Sequence, residues 1–102
     1  MSKFSGIYCI LNKSNNKVYI GQSKDCNKRL INHKTRLKNN KHSNEHLQSA
    51  FNKYGLENFT YSIIEECNQE SIDEREIYWI QYYNSFNKDF GYNIQSGVLI
   101  KH

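Results

Sequence analysis

The chain has no proline and only five glycines in 102 residues. Without Pro-rich or Gly/Ser-rich stretches there is no stiff spacer or flexible linker to divide it, so residues 1–102 read as one domain. No internal repeat or low-complexity segment is visible. No apolar run approaches the roughly eighteen residues that a membrane span needs, and the N-terminus carries no signal-peptide pattern. The expectation is a soluble, intracellular protein, cytoplasmic or nuclear according to its host, with no membrane partner. Cysteine is scarce too. Cys9, Cys26 and Cys67 make an odd count with no close pair, which excludes a disulfide framework and fits a reducing compartment. They read as small buried hydrophobes.

What is present is basic charge and tyrosine. Fourteen Lys and Arg against ten Asp and Glu give a net charge of +4 and a pI near 9.0, a balance that favours a polyanionic partner without specifying one. The eight tyrosines suit both strand packing and phosphate contacts. Two of them fall in the stretch that organises the chain, residues 6–21. Here two β-rich runs, Gly6 to Leu11 and Lys17 to Gly21, flank a polar cluster from Asn12 to Asn16, which predicts a β-hairpin. Pairing Leu11 with Val18 closes the turn and sets Ile10 opposite Tyr19. Tyr8 lies two residues from Ile10, so both phenols face one side of the sheet. A slip of one residue would separate them.

Residues 25–38 suit a helix capped by Asp25 or Ser23, with Cys26, Leu30 and Leu37 on one face and Ile31 beside them. Arg29, His33 and Arg36 form a neighbouring stripe. A second helix is expected from about residue 44 to Tyr54, stopped by Gly55. Residues 59–66 look like a third strand, more in keeping with antiparallel than parallel pairing. Ser71-Ile-Asp-Glu74 has the form of a capping box and opens a third helix to about Tyr83. The tail carries Gly91-Tyr-Asn-Ile94, with Gly97 close behind. Three strands and three helices in this order predict an α+β fold, a small three-stranded antiparallel sheet flanked by helices.

Chemistry concentrates at a few positions. Glu76 falls within the stripe Ile72, Glu76, Trp79, Ile80 and Tyr83. A carboxylate there needs a cation, a hydrogen-bond partner or a metal, because burying it alone is costly. Two readings stand: a stripe-edge residue or salt bridge, or a ligand for Mg²⁺, which takes one or two protein carboxylates and completes its shell with water and phosphate oxygens. Arg29 and His33, one turn apart, form either a solvated basic face or a phosphate grip in which the guanidinium offsets developing charge. His42 and His46 have i, i+4 spacing, but no second ligand pair lies close enough to make a zinc site. His42, in a polar loop beside Lys38 and Lys41, reads better as a phosphate contact.

The ordered residues resemble the GIY-YIG nuclease superfamily. Gly6-Ile7-Tyr8 and Tyr19-Ile20-Gly21 match its two defining tripeptides. Arg29 and His33 follow on the first helix, Glu76 lies in Glu74-Arg-Glu76, and Asn93 lies in Gly91-Tyr-Asn-Ile94. Either tripeptide alone is weak, and the ordered set from Ser5 to Ile94 is strong. Segments such as Asn15-Asn-Lys-Val-Tyr-Ile-Gly21 and Ser49-Ala-Phe-Asn-Lys-Tyr-Gly55 are most similar to catalytic domains of phage-type homing endonucleases. The resemblance implies divalent-metal-dependent hydrolysis of DNA phosphodiesters, with one Mg²⁺ or Mn²⁺ ion on Glu76, Tyr8 as general base and Arg29 on the phosphate. It implies Tyr19, His33, His42 and Asn93 as supporting residues and the motif glycines as servants of backbone geometry. A phenol is a poor base near neutral pH unless a cation favours its phenolate. Lys17, Arg29 and the metal are candidates, and Lys17 and His42 are expected to help bind substrate. Homing enzymes of this type continue into a linker and a DNA-binding domain, whereas this sequence stops at His102. Recognition is then expected to be absent, supplied by a partner, or intrinsic and weak. A non-catalytic nucleic-acid-binding module, and a repair or restriction nuclease acting with a partner, are the alternatives.

Overall fold

A computed structural model describes residues 4–94. The first run forms β1 (Gly6–Asn12) and the second β2 (Lys17–Ser23), joined by the expected polar turn. In that turn the Asn12 carboxamide accepts from the Ser14 N–H at 3.0 Å, and Asn16 takes a left-handed φ of 64°. Then come α1 (Cys26–Lys38), α2 (Glu45–Tyr54), a short 3₁₀ turn, β3 (Phe59–Glu66) and α3 (Ile72–Tyr83). The sheet order is β2-β1-β3 and both pairings are antiparallel. Leu11 pairs with Val18 and Ile10 with Tyr19, so the two phenols do share a face.

The central strand is buried on both sides, which explains why Gly6 to Leu11 shows no polar alternation. On one side Tyr8 and Ile10 pack with Leu30, Leu37, Leu47, Phe51 and Phe59, under α1 and α2. On the other, Ile7 and Cys9 pack with Val18, Ile20, Ile72 and Ile80, under α3. The sheet is thus the middle of three layers. Cys9 and Cys26 are buried, Cys67 is half-buried, and all three are free thiols. Burial pushes the Cys9 thiol up to about 11, consistent with a packing role.

Three local details were refined or corrected. Asp25 caps α1 by accepting from the Lys28 N–H, while Ser23 supports Asp25 instead. Ile31 points away from the core and is 61% exposed. The capping box at Ser71 does not form: its hydroxyl donates back to Asn68, whose carboxamide also takes the Ser71 N–H. A local Asn turn has outcompeted the cap for the serine oxygen. Gly55 ends α2 with φ at 90°, a conformation that favours glycine.

The chain after α3 returns to the outer edge of β2. Tyr92 N–H donates to the Val18 carbonyl at 2.9 Å and Gly91 forms a parallel bridge with Val18. This covers strand edge that would otherwise be open to another chain. Gly97 lies outside the described residues.

Candidate active site

The site begins with strand alternation. Tyr8 on β1 is almost wholly buried, 1% exposed, and Tyr19 on β2 is half-buried beside it. Gly21 is what lets the Tyr8 ring lie across β2. A Cβ at Gly21 would sit 2.3 Å from the Tyr8 ring tip and hydroxyl. Gly6 is needed for a similar reason, since a Cβ there would meet the Glu65 carbonyl at 2.0 Å. Both glycines therefore serve close approach rather than unusual dihedrals. A bulge between Ile7 and Tyr8 in the β1–β3 pairing lies immediately beside the phenol.

The first helix delivers Arg29 and His33. The Tyr8 hydroxyl is 2.7 Å from His33 Nε2, and His33 Nδ1 is 2.7 Å from His42 Nε2. The imidazoles stack with centroids 4.9 Å apart, and the Tyr19 ring meets both edge-on. His33 is buried rather than part of a solvated basic stripe, and Arg29 keeps the exposed position. His42 also departs from its expected use. One ring nitrogen meets His33 and the other accepts from the Asn44 N–H at 3.0 Å, so the ring is wired inward instead of offered to a phosphate. Burial, with the charges of His42, Arg29 and Arg36, lowers His33 to about 3. Burial and the same two arginines lower His42. Both imidazoles are neutral at pH 7.

The phenols are shifted the other way. Burial holds Tyr8 above its ordinary value, helped by Tyr19 and by Glu76, while the N–H groups and charge of Arg29 oppose it. Tyr19 is raised by burial and by Glu76 and opposed by Arg29. Glu76 on α3 is therefore close enough for its charge to be felt at both hydroxyls. Its Oε1 accepts from Gln22 Nε2 at 2.9 Å, and the same nitrogen donates to Asp73 at 2.7 Å. Arg75, the residue before Glu76, pairs with Glu65 at 2.8 Å.

Asn93 acts on the backbone. Its Oδ1 accepts from the Ile20 N–H at 2.9 Å and its Nδ2 donates to the Ile20 carbonyl at 2.8 Å, fixing the residue between Tyr19 and Gly21. Ser85 donates to the same Oδ1 at 2.7 Å. Lys17 lies apart from the phenols, in a cleft of about 350 Å³ whose lining includes His46, Lys53, Lys88 and Asp89. A smaller cavity of about 30 Å³, roughly one water molecule, is lined by Tyr19, Arg29, Asn32, His33, Arg36, His42 and Ser43. Sequence reasoning missed Gln22 and Asn44. Residues 22–24 read as a loop after the run ending at Gly21, but β2 continues to Ser23 and so puts Gln22, paired with Ile7, on the α3 side with Ile20. The Asn44 contribution is a backbone N–H, which no residue pattern announces.

Residues 4–93 match the GIY-YIG catalytic domain, and the chain belongs to that family. It is 49% identical over 97 residues to intron-associated endonuclease 1 of Enterobacteria phage T4, covering 93% of this chain and 38% of that protein. It is 41% identical over 95 residues to a probable intron-encoded endonuclease 1 of Neurospora crassa, covering 89% of this chain and 30% of that protein. The chain thus spans well under half the length of either relative. Among solved structures, the catalytic domain of homing endonuclease I-TevI superposes with a TM-score of 0.80 at 46% identity, covering 89% of this chain and 98% of that one. A point mutant of the I-TevI catalytic domain gives 0.81 at 44% identity, covering 91% and 95%. The phage-type homing-endonuclease likeness and the α+β three-stranded fold read from the sequence are borne out.

Proposed function

We propose that this domain is a divalent-metal-dependent endonuclease that hydrolyses DNA phosphodiester bonds. The observation that carries the reading is convergence: Tyr8 and Tyr19 on one sheet face, Arg29 and His33 from α1, and the charge of Glu76 within range of both phenols. The family and the endonuclease names of its relatives point the same way.

Glu76 and its surroundings fit Mg²⁺ or Mn²⁺. The carboxylate is half-buried and shares the Gln22 amide with Asp73. Carboxylate oxygens suit an oxygen-seeking ion that keeps most of its waters. Held by Glu76, one such ion would supply positive charge where the 3′ oxygen departs. The protein's own residues do the rest. The Tyr8 phenolate oxygen takes a proton from the attacking water as the new P–O bond forms and the P–O3′ bond breaks. Arg29 grips the phosphoryl oxygens and offsets their charge. Asn93 and Gly21 hold β2 in the register that brings Tyr19 to the same pocket.

The cleft of Lys17, His46, Lys53 and Lys88 offers a path for the flanking DNA backbone, and contacts of that kind carry little sequence information. Target choice then belongs to a further DNA-binding domain or a partner protein. Plasmid nicking with Mg²⁺ or Mn²⁺, and its loss in chelator, tests the proposal. A folded domain that binds duplex DNA but never nicks it with either ion is a binding module instead.

A further inference from the structure

The hydrogen bonds around Tyr8 have a direction that can be worked out from one end. Asn44 is the fixed end. It is buried, its carboxamide caps α2 by accepting from the Leu47 N–H at 3.0 Å, and its Nδ2 donates to the Tyr92 carbonyl at 2.7 Å. Its backbone N–H can only donate, and it donates to His42 Nδ1 at 3.0 Å. That nitrogen must be bare. A neutral imidazole carries one proton, so His42 carries it on Nε2. The Nε2–H points at His33 Nδ1, 2.7 Å away, which must therefore accept. The His33 proton is then on Nε2, 2.7 Å from the Tyr8 oxygen.

We propose that Asn44 and His42 are positioning residues that lock His33 in its Nε2–H tautomer, so that His33 donates a hydrogen bond to the Tyr8 oxygen rather than taking the tyrosine's proton. The inference rests on the reading of Tyr8 as the base and sharpens it. A donor fixed on the phenol oxygen favours the phenolate, while a bare nitrogen there would favour the phenol. The other donor facing that oxygen is Arg29, so two N–H groups from α1 oppose the burial that holds the proton on. Both rings must be neutral for the chain to be defined, and their burial beside Arg29 and Arg36 keeps them so. His33 is then excluded as the base. Its Nδ1 is occupied and its Nε2 already bears a proton, so a second acceptor role would need a tautomer that the Asn44 N–H forbids. This also gives His42 a use distinct from substrate binding.

The direct test is nitrogen NMR of the ¹⁵N-labelled domain at neutral pH. Protonated and bare imidazole nitrogens resonate far apart and show different long-range proton couplings. His33 and His42 should both appear as Nε2–H tautomers. A proton on His33 Nδ1, or a doubly protonated His33 at pH 7, overturns the proposal. Cleavage supplies a second arm. His42→Leu removes the donor to His33 and should slow cleavage roughly ten- to a hundredfold, the range that a lost hydrogen bond to a charged group gives. In His42→Gln the side-chain amide can still donate to His33 Nδ1, so much of the rate and the His33 tautomer should return. Wild-type cleavage by His42→Leu, or no rescue by His42→Gln, overturns it. Should His42→Leu fail to fold, the wild-type spectrum still decides. Normal cleavage by Tyr8→Phe with the expected tautomers would remove the base reading and leave the wiring standing. The opposite tautomer with an inactive Tyr8→Phe would do the reverse.

Discussion

The two faces of the sheet are built from the same two strands and do opposite work. Odd positions of β1 and even positions of β2 put Ile7, Cys9, Val18 and Ile20 against Ile72 and Ile80 of α3, a dry layer held by apolar burial. The intervening positions put Tyr8 and Tyr19 under α1, where two imidazoles and a guanidinium are drawn into a polar chain beneath α2. One face specifies stability by volume. The other holds polar groups whose partners have been fixed one by one. The faces communicate at Gly21, where no side chain separates the Tyr8 hydroxyl from the end of β2. Glu76 stands on the dry side's helix, yet its charge reaches both phenols. The lesson is that the site is assembled around the end of a strand, so chemistry and stability should come apart on mutation.

The largest separation is expected at Glu76. Glu76→Ala should abolish metal-dependent nicking while leaving duplex binding, measured by gel shift, nearly intact. Stability should change little, because the carboxylate is only half-buried and the Gln22 amide keeps Asp73 as an acceptor. Cleavage at the wild-type rate with Mg²⁺ present would remove Glu76 as the metal's ligand.

Next comes Tyr8→Phe. The ring stays, so packing changes little, and the buried His33 N–H left without its acceptor costs about 1–3 kcal/mol. A general base contributes about 10²–10⁴ in rate. Cleavage should fall at least about a hundredfold, with Tm lowered no further than the lost acceptor implies. The wild-type rate should still be climbing in the alkaline range, since burial holds the phenol above its ordinary value, and the variant should lose that rise. Tyr19→Phe should slow cleavage less.

Much of this contrast was legible in the residues. The period-2 pattern and the polar turn between the two runs fix the hairpin register, and with it the shared face of Tyr8 and Tyr19. The 3.6 period places α1 and α3, and so Arg29, His33 and Glu76. What the pattern does not carry is burial depth and hydrogen-bond direction. Arg29, His33 and Arg36 look alike as a basic stripe, but β1 and the 42–44 loop close over His33 alone. His42 looks like a free loop histidine because its two partners lie nine residues back and on a backbone N–H. Gly6 and Gly21 were readable as necessary, though not as necessary for the Glu65 carbonyl and the Tyr8 ring tip. Asn68 defeated the capping box because two local motifs competed for one serine, and sequence alone does not rank them.

The dry face should fail in the complementary way. Ile80 is buried with Ile72 and Ile20 on that side. Ile80→Ala should cost about 2–5 kcal/mol through lost burial and a residual cavity, read as a lower denaturant midpoint. The fraction still folded should cut at the wild-type rate. A proportionate loss of rate in a fully folded variant would show that the two faces are coupled more tightly than their separate packing implies.

The smallest effect is a pH dependence confined to the wired face. The titratable groups of the dry layer are the Cys9 and Cys67 thiols and the Tyr83 phenol, all raised by burial, Cys9 to about 11, and all neutral in acid. His33 is different. Its folded value is lowered to about 3, while the unfolded chain binds the proton near the ordinary 6.5. Between those values the unfolded state holds more protons, so stability rises with pH there. The His33 contribution is fully present above 6.5 and is lost as pH falls towards 3. His42, also lowered, acts with the same sign. Glu65 is held low by hydrogen bonds from Trp79 and Arg75, and its stabilisation is lost only below the ordinary carboxylate range, so pH 7 to 5 isolates the histidines. Over that window the wild-type unfolding free energy should fall, with a slope approaching about 1.4 kcal/mol per pH unit from His33 and a further fall of the same sign from His42. His33→Gln should start less stable and fall less steeply. Equal slopes in the two proteins would mean that His33 takes up its proton in the folded state without penalty, and that the polar chain on this face yields to protonation instead of resisting it.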